Sequence, residues 1–447
     1  GVSDEGPAGG AAGRRQIVYV NTMEQVFPPA PGQELVREHC VGCHRDGASW
    51  GRAQTREDFI RGIERMAETG PANNPYVLAV GRTPFGTRQK ALMAEYLFQQ
   101  FGTGKPLRRL RIDPLPLDEE VASKAIYVLY DLPEDLPRQA SSGNQIGADM
   151  IDGVIAQSPA PGQHHLQMAA ISPADGNIWF SNRLSNAVLR LDPKELDPAR
   201  RWRNYPIKGN NWVSVSGMTI DSRGKVYWSE LVGGMMGELD PVTGSQIRHF
   251  LPHQGVGVGL IADKNDNIGF GLIWGSQFGR LDAKTRQVHM YPTPTRDNGI
   301  YGLAVDANGN LWGAGWQKGT INKWDAETEL VTEYKVPAAW GQIRRIGVDS
   351  KGLVWGAGYN VGSLFGLDPR TGRITEYKLP VSGGMAYEAW PDKNDNIWTA
   401  DEVHSAMFKL DQRTGRYTAY PMPQPFQSVP KMEVEANNTQ WFGSRGV

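Results

Sequence analysis

The sequence predicts a mainly β chain, a ring of seven short-stranded repeats behind a small all-α module. Three observations predict it. A tryptophan-type position returns at Trp179, Tyr227, Gly269, Trp312, Trp355, Trp398 and Trp441, and its spacing settles at 43 residues. The surrounding text returns with it: Gly302-Leu-Ala-Val-Asp306, Leu311-Trp312, Trp324-Asp325 and Tyr334-Lys-Val-Pro337 come back as Gly347-Val-Asp349, Leu353-Val-Trp355, Leu367-Asp368 and Tyr377-Lys-Leu-Pro380. The chain's only two cysteines stand together in Cys40-Val-Gly-Cys43-His44, inside an N-terminal stretch whose apolar spacing is helical.

Each repeat reads as strands. Apolar runs of a few residues are separated by turn clusters such as Asp306-Ala-Asn-Gly-Asn310 and Asp368-Pro-Arg-Thr-Gly372. Four strands fit each unit, and seven units close a β-propeller, which leaves only short, protected sheet edges. The recurring indole is expected to pack between neighbouring blades.

Composition narrows the function classes. Basic and acidic residues number 47 and 48, so neither nucleic acid nor an anionic membrane is implied as a partner. No apolar run approaches a membrane span. The chain starts Gly1-Val-Ser-Asp-Glu without a signal peptide, which is either a cytosolic start or the trace of a removed leader.

In chain order, residues 1–14 are expected to be a disordered tail and residues 15–101 the α module. Cys-x-x-Cys-His is the c-type haem attachment pattern: one helical turn offers both thiols to the haem vinyl groups and the next imidazole to the iron. A dithiol would want a βαβ setting, and a zinc site a second cysteine pair. Helices are expected over Pro31–His44, over Thr55–Met66 with Thr55 as N-cap, and over Thr87–Phe101 with Ala91, Leu92, Leu97 and Phe98 on its apolar face. Residues 31–101 resemble a small class I cytochrome c. That resemblance implies one covalent haem c on Cys40 and Cys43 with His44 as proximal ligand. The family's methionine before Pro84 is Thr83 here, so the distal ligand falls to Met66, in Arg65-Met66 ahead of Gly70, with Met93 as the alternative. Covalent haem is attached outside the cytoplasm, which makes the expected location periplasmic and the leader removed.

Residues 102–120, rich in Pro and basic residues, are expected to be a linker, and residues 121–447 the propeller. Within 121–137 the ending Tyr130-Asp-Leu-Pro133 copies an outer strand, while the seventh unit stops at Val447 without one. Residues 124–133 are therefore expected to complete the last blade by exchange of chain ends. Residues 138–163 form a long connection that either covers one mouth of the ring or packs on the haem module.

The repeat, with its Gly-x-x-x-Asp-x-x-Gly-Asn-Leu-Trp and Glu-Tyr-x-Leu-Pro, resembles the streptogramin lyase (virginiamycin B lyase) family of seven-bladed propellers over residues 164–447. The resemblance implies a catalytic histidine eleven residues before the Trp and a metal-binding acid three after it. Here the first column holds Met168, Ser216, Val258, Tyr301, Arg344, Tyr387 and Pro430, without histidine; in the second only Glu230 and Asp401 are acids. Arg344, Arg345, Glu388, Tyr301 and Tyr387 are expected near one mouth of the channel, as an anion site or an internal ion pair, with Glu230 and Asp401 deeper. His164-His165 with Met168 reads as a polar loop or a soft metal cluster. Asp306–Asn310 is a turn, because Gln317 stands where a calcium loop needs Glu. Gly255-Val-Gly-Val-Gly259 is expected to let a strand pass close to the channel. The functional expectation is a periplasmic electron-transfer cytochrome whose propeller serves as docking platform or substrate site, with a redox protein or dehydrogenase subunit as partner. The alternative is a metal-dependent lyase with an appended cytochrome.

Overall fold

The computed structural model describes every residue except 1–14, 42–43, 46–49, 65–84, 134–165, 184, 209–214, 231–233, 253–255, 274, 425–427 and 445–447. Among the described residues no helix is long and apolar enough to cross a membrane.

Among its described residues the N-terminal module has three longer helices, Gln33–His39, Arg56–Glu64 and Thr87–Phe101, after the short Met23–Val26. Thr55 and Asp58 close the start of the second reciprocally: Asp58 N–H donates to Thr55 Oγ1, and Thr55 N–H to Asp58 Oδ2. The third helix buries Met93, Ala94, Leu97 and Phe101, the i, i+4, i+8 face. Ala91, expected on that face, is exposed, and Leu92 and Phe98 lie at its border. Residues 102–120 are more than a linker. Leu107–Leu110 pairs in parallel with Ile17–Val20, tying the start of the module to the chain leaving it.

Among the described residues six four-stranded antiparallel sheets follow, each built from four consecutive strands. Their innermost strands are Leu166–Ile171, Val215–Ile220, Val256–Ala262, Ile300–Val305, Ile343–Val348 and the short Trp390–Pro391. A two-stranded sheet, Met432–Val434 with Gln440–Phe442, lies between the sixth sheet and the first. Each tryptophan-type residue falls second in the second strand of its sheet. Three of those indoles are clasped by the turn before them: Trp312, Trp355 and Trp398 donate Nε1–H to Asp306, Asp349 and Asp392 at 3.0 Å. The other oxygen of each Asp accepts backbone N–H groups of its own turn, as for Asn308 and Asn310 on Asp306. The glycine run, expected to bring a strand close to the channel, is seen to bring it close to the next inner strand. A Cβ on Gly257 would sit 2.8 Å from Ile300 O, and one on Gly259 2.8 Å from Tyr301 O, so the third inner strand lies against the fourth without side chains between them.

The expected closing strand takes its place without forming a ladder. Residues 125–133 hold no strand, and Glu119–Ala122 is a short helix. Tyr127 donates to Pro421 O at 2.9 Å, and Tyr130 packs 5.5 Å from Trp441 with Arg201 over its other side. The segment is held by these side chains, while Ile126, Val128 and Leu129 point outward.

The helical module sits on the ring. Trp340, from the loop between the fourth and fifth sheets, belongs to the module's own core beside Phe27, at 5.7 Å, and under the Arg37 guanidinium. Lys318 pairs with Glu38 at 2.7 Å, and Gln342 donates to Arg37 O at 3.0 Å.

Candidate site at the channel mouth

The inner strands are not regular. In five of them the register slips near their first residues: at Leu166/Met168, Val215/Met218, Val256/Leu260, Ile300/Leu303 and Ile343/Ile346. A β-bulge spends an extra residue and turns side chains that strict alternation would hide. Tyr301, Arg344 and Arg345 stand in these slips.

Arg344 is the centre of the arrangement. Its guanidinium carbon lies 4.0 Å from the ring centres of both Tyr359 and Tyr387, with Trp316 at 5.2 Å and Tyr301 at 5.3 Å. Burial opposes its charge, but the phenols of Tyr301, Tyr359 and Tyr387 hold its pKa well above the ordinary arginine value. The Tyr301 and Tyr387 hydroxyls share a hydrogen bond of 3.0 Å. Burial would raise the Tyr301 pKa, yet Arg344 and Arg345 outweigh it and bring the phenol down to about 8. Arg345 lies beside the same two tyrosines and donates to Met168 Sδ at 3.0 Å.

Glu388 is buried one residue from Tyr387. Burial lifts its carboxyl to about 7 against the pull of Arg345 and Lys431, and its Oε2 accepts the Met432 N–H at 2.6 Å. The structure thus brings Tyr301, Arg344, Tyr387 and Arg345 together, with Glu388 on the Arg345 side.

The other two acids have been put to structural use. Glu230 accepts from Arg248 Nε at 2.7 Å and from the Trp228 indole at 3.2 Å within its own sheet. Asp401 caps Met385 N–H and Val403 N–H and hydrogen-bonds His404 Nδ1, while His404 Nε2 meets Asp113 O at 2.7 Å. Among the described residues, no group of three or more His, Cys, Asp or Glu side chains stands together as a metal site would need. His164 and His165 lie outside the described residues.

Trp316 and Tyr359 were missed from the sequence, though a signal existed. They stand four residues after Trp312 and Trp355, one place beyond the column searched for acids. Glu402 holds that place after Trp398, and it accepts the Tyr359 hydroxyl at 2.8 Å.

The Cys40–His44 turn is at the same mouth. Cys40 ends the helix Gln33–His39, and His44 N–H donates back to Cys40 O at 2.9 Å, so thiol and imidazole residues follow one another around a single turn. The His44 ring lies 5.0 Å from Trp50. Cys43 and Met66, expected as haem attachment and distal ligand, lie outside the described residues. Met93 is 1 % exposed in the module's apolar core. The next residue, Arg45, is buried in the propeller: its guanidinium donates to Gly383 O at 2.8 Å, Gly384 O at 3.0 Å and Asn360 O at 3.4 Å. Asn360 follows Tyr359, and Gly384 precedes Met385; both neighbours belong to the cluster around Arg344.

Comparison with known proteins bears on the propeller. A model of the virginiamycin B lyase family matches residues 118–367, more than half the chain, and leaves the helical module outside the match. No curated protein matches. Among solved structures, a virginiamycin B lyase from Staphylococcus aureus superposes with a TM-score of 0.57 at 18 % identity, over 63 % of this chain and 92 % of that one. A catalytically inactive form of that lyase, solved with quinupristin, gives 0.58 at 17 % over the same shares. U3-55K gives 0.52 at 11 % identity, over 62 % of this chain and 86 % of that one. At these identities the likeness is one of fold.

Proposed function

The chain belongs to the virginiamycin B lyase family, and from that premise we propose that its propeller has become the ligand-binding half of a periplasmic electron-transfer protein. The single observation that carries this is Arg45. The residue directly after the Cys-x-x-Cys-His motif is fastened by three carbonyls to the channel mouth, beside Tyr359 and Met385 of the Arg344 cluster. In this reading Cys40 and Cys43 would hold one haem c covalently, and His44 with Met66, or else Met93, would supply the ligands to its iron. Such a haem supplies one-electron chemistry when bound. The chain's own residues do the rest. Trp50 supports the His44 ring, Arg45 keeps the motif at the mouth, and Arg344 with its tyrosines holds a ligand or the edge of a partner beneath it. The residues 15–101 are then a cytochrome c domain, and the two-stranded sheet with residues 125–133 is the seventh blade. The partner is a redox protein or dehydrogenase subunit.

The test starts with a pyridine haemochrome assay on protein made with periplasmic haem attachment. A c-type spectrum that disappears in Cys40→Ala is expected; no c-type haem in the wild type sinks the proposal. A second reading is favoured by the family match itself: metal-dependent, redox-independent cleavage of a cyclic ester. The partners of Glu230 and Asp401, and the missing inner-strand histidine, weigh against it. Cleavage that needs a divalent metal, ignores the redox state and falls in Glu230→Gln would reverse the choice.

A further inference from the structure

Residues 125–133 stand where the complete sheets carry their fourth strand. In four of those sheets a fourth-strand tyrosine lies on the tryptophan of the same sheet. The pairs are Tyr205 on Trp179, Tyr334 on Trp312, Tyr377 on Trp355 and Tyr420 on Trp398, at 5.1, 6.2, 5.5 and 5.4 Å between ring centres. Tyr130 lies on Trp441 in the same way, at 5.5 Å. Yet Gln440–Phe442 pairs only with Met432–Val434, and among the described residues no strand stands between it and residues 125–133. A fourth strand pairs with a third, which accounts for the missing ladder. Between the two lies a groove of about 410 Å³, walled by Tyr127, Tyr130, Met407, Tyr420, Trp441 and Phe442.

The six complete sheets show what such a place takes. Each third strand buries its second and fifth residues, as with Phe278 and Leu281 or Met407 and Leu410. In four of the six the fourth residue is basic, Arg190, Arg280, Lys323 or Lys409, and stands opposite the tryptophan-type position. Lys323 and Lys409 lie 6.0 and 5.7 Å over Trp312 and Trp398. Arg280 reaches Asp263, the turn acid six residues before its own column, at 3.8 Å. In the two-stranded sheet the matching pair is Trp441 and Glu435. Glu435 is half-buried, and its carboxylate has no hydrogen bond or ion pair among the described residues. The groove and this acid together fit two apolar side chains three residues apart, with Lys or Arg just before the second. Residues 134–165 do not offer that pattern, since their one Lys or Arg, Arg138, is followed by Gln139.

We propose that this groove is the docking site of a partner polypeptide, which adds an extended strand of the pattern apolar-x-basic-apolar to the ring. The basic side chain lies over Trp441 and towards Glu435. The site rests on the seventh blade of the proposed function, and not on its redox chemistry. Strand addition supplies main-chain hydrogen bonds along the open edge of Gln440–Phe442, while the groove selects the side chains. Ile126, Val128 and Leu129, exposed on the segment that forms one wall, extend the apolar surface.

Fluorescence anisotropy of the full chain with a labelled, capped peptide copying residues 405–412, which span the third strand of the sixth sheet, tests it. The peptide should bind more tightly than its scrambled form, and amides of Gln440–Phe442 should gain protection from hydrogen exchange. In the peptide, Leu410→Ser should weaken binding by about tenfold or more, and Lys409→Glu by about threefold. Glu435→Lys in the protein should reverse that charge preference; should this variant fail to fold, the peptide series on the wild type decides. No binding, binding equal to the scrambled peptide, or a charge preference that Glu435→Lys leaves unchanged overturns the site. Binding seen only after deletion of residues 140–160 would give the groove to the chain's own connection. Self-association of the free chain that the peptide dissolves would give it to a second copy. Each of these overturns the partner. Tyr130→Ala, without peptide, reads the blade itself: unchanged stability refutes blade and groove together, and lost stability without peptide binding in the wild type refutes the groove alone. Peptide binding without c-type haem refutes only the redox role.

Discussion

Trp340 offers the sharpest test of how the two parts of the molecule are joined. Its backbone belongs to the propeller, but its side chain is 2 % exposed inside the module's core, 5.7 Å from the Phe27 ring and 5.9 Å from the Arg37 guanidinium. In an undocked form that indole would face water, so Trp340→Ala acts almost wholly on the docked state. Truncating a buried tryptophan costs about 3–5 kcal/mol. At about 1.4 kcal/mol per decade, the docking equilibrium should fall by roughly two to three and a half decades. Native-state hydrogen exchange measures this directly. Amides of Gln33–His39 and Thr87–Phe101 should lose protection by up to that factor, while those of the inner strands Ile300–Val305 and Ile343–Val348 keep theirs. Unchanged protection in the helices would refute the shared core. An equal loss in the blades would show that Trp340 supports the ring and not the joint.

Two pH-dependent predictions follow from the buried acids and bases. Burial lowers the His404 pKa, but Asp401 and the Asp113 carbonyl more than reverse it, leaving the pKa raised. The stability His404 contributes is then full below the ordinary histidine range, about 6.5, and is lost as pH rises through its raised folded value. Urea unfolding should therefore show His404→Gln costing more at about pH 6 than at about pH 9; a flat or growing difference would contradict the Asp401 pairing. Glu388 runs the other way. Its carboxyl, lifted to about 7 by burial, holds a proton that the unfolded chain releases above about pH 4.3, so it costs stability progressively between those values. Glu388→Gln keeps an acceptor for the Met432 N–H and should gain on the wild type across that window, then level off. A gain independent of pH would mean the carboxyl is not buried as described.

What could be read beforehand was whatever repeats. The tryptophan column marked the second strand of each sheet, and in three of them the indole is held by an aspartate six residues earlier in the same chain segment. The cap at Thr55 and the end of the helix at Phe101 were legible for the same reason: their partners are local. The site was legible only in part. Tyr301, Arg344 and Tyr387 were found by counting back along the repeat, while Trp316 and Tyr359 stood one column beyond the count. Residues 125–133 carry an outer strand's composition, yet they bind through Tyr127 and Tyr130 side chains. A sequence displays β preference without displaying which edge is near enough to pair. Arg45 and Trp340 were invisible, since each meets partners some three hundred residues away.

The slipped register of the inner strands separates two jobs that a regular strand would bind together. Outside the slip, every residue is committed by alternation to one face of its sheet, and a change there disturbs the packing of two blades. Inside it, a residue can be exchanged for another of quite different chemistry while the outer three strands keep their pairing. A ring built this way carries a set of interchangeable positions around its mouth, one to three residues from each slipped strand. A phenol in one repeat, cations in the next and an amide in another are then variations the same framework tolerates. That is how a scaffold shared with a lyase can present a mouth without the lyase's histidine and still close as the same ring.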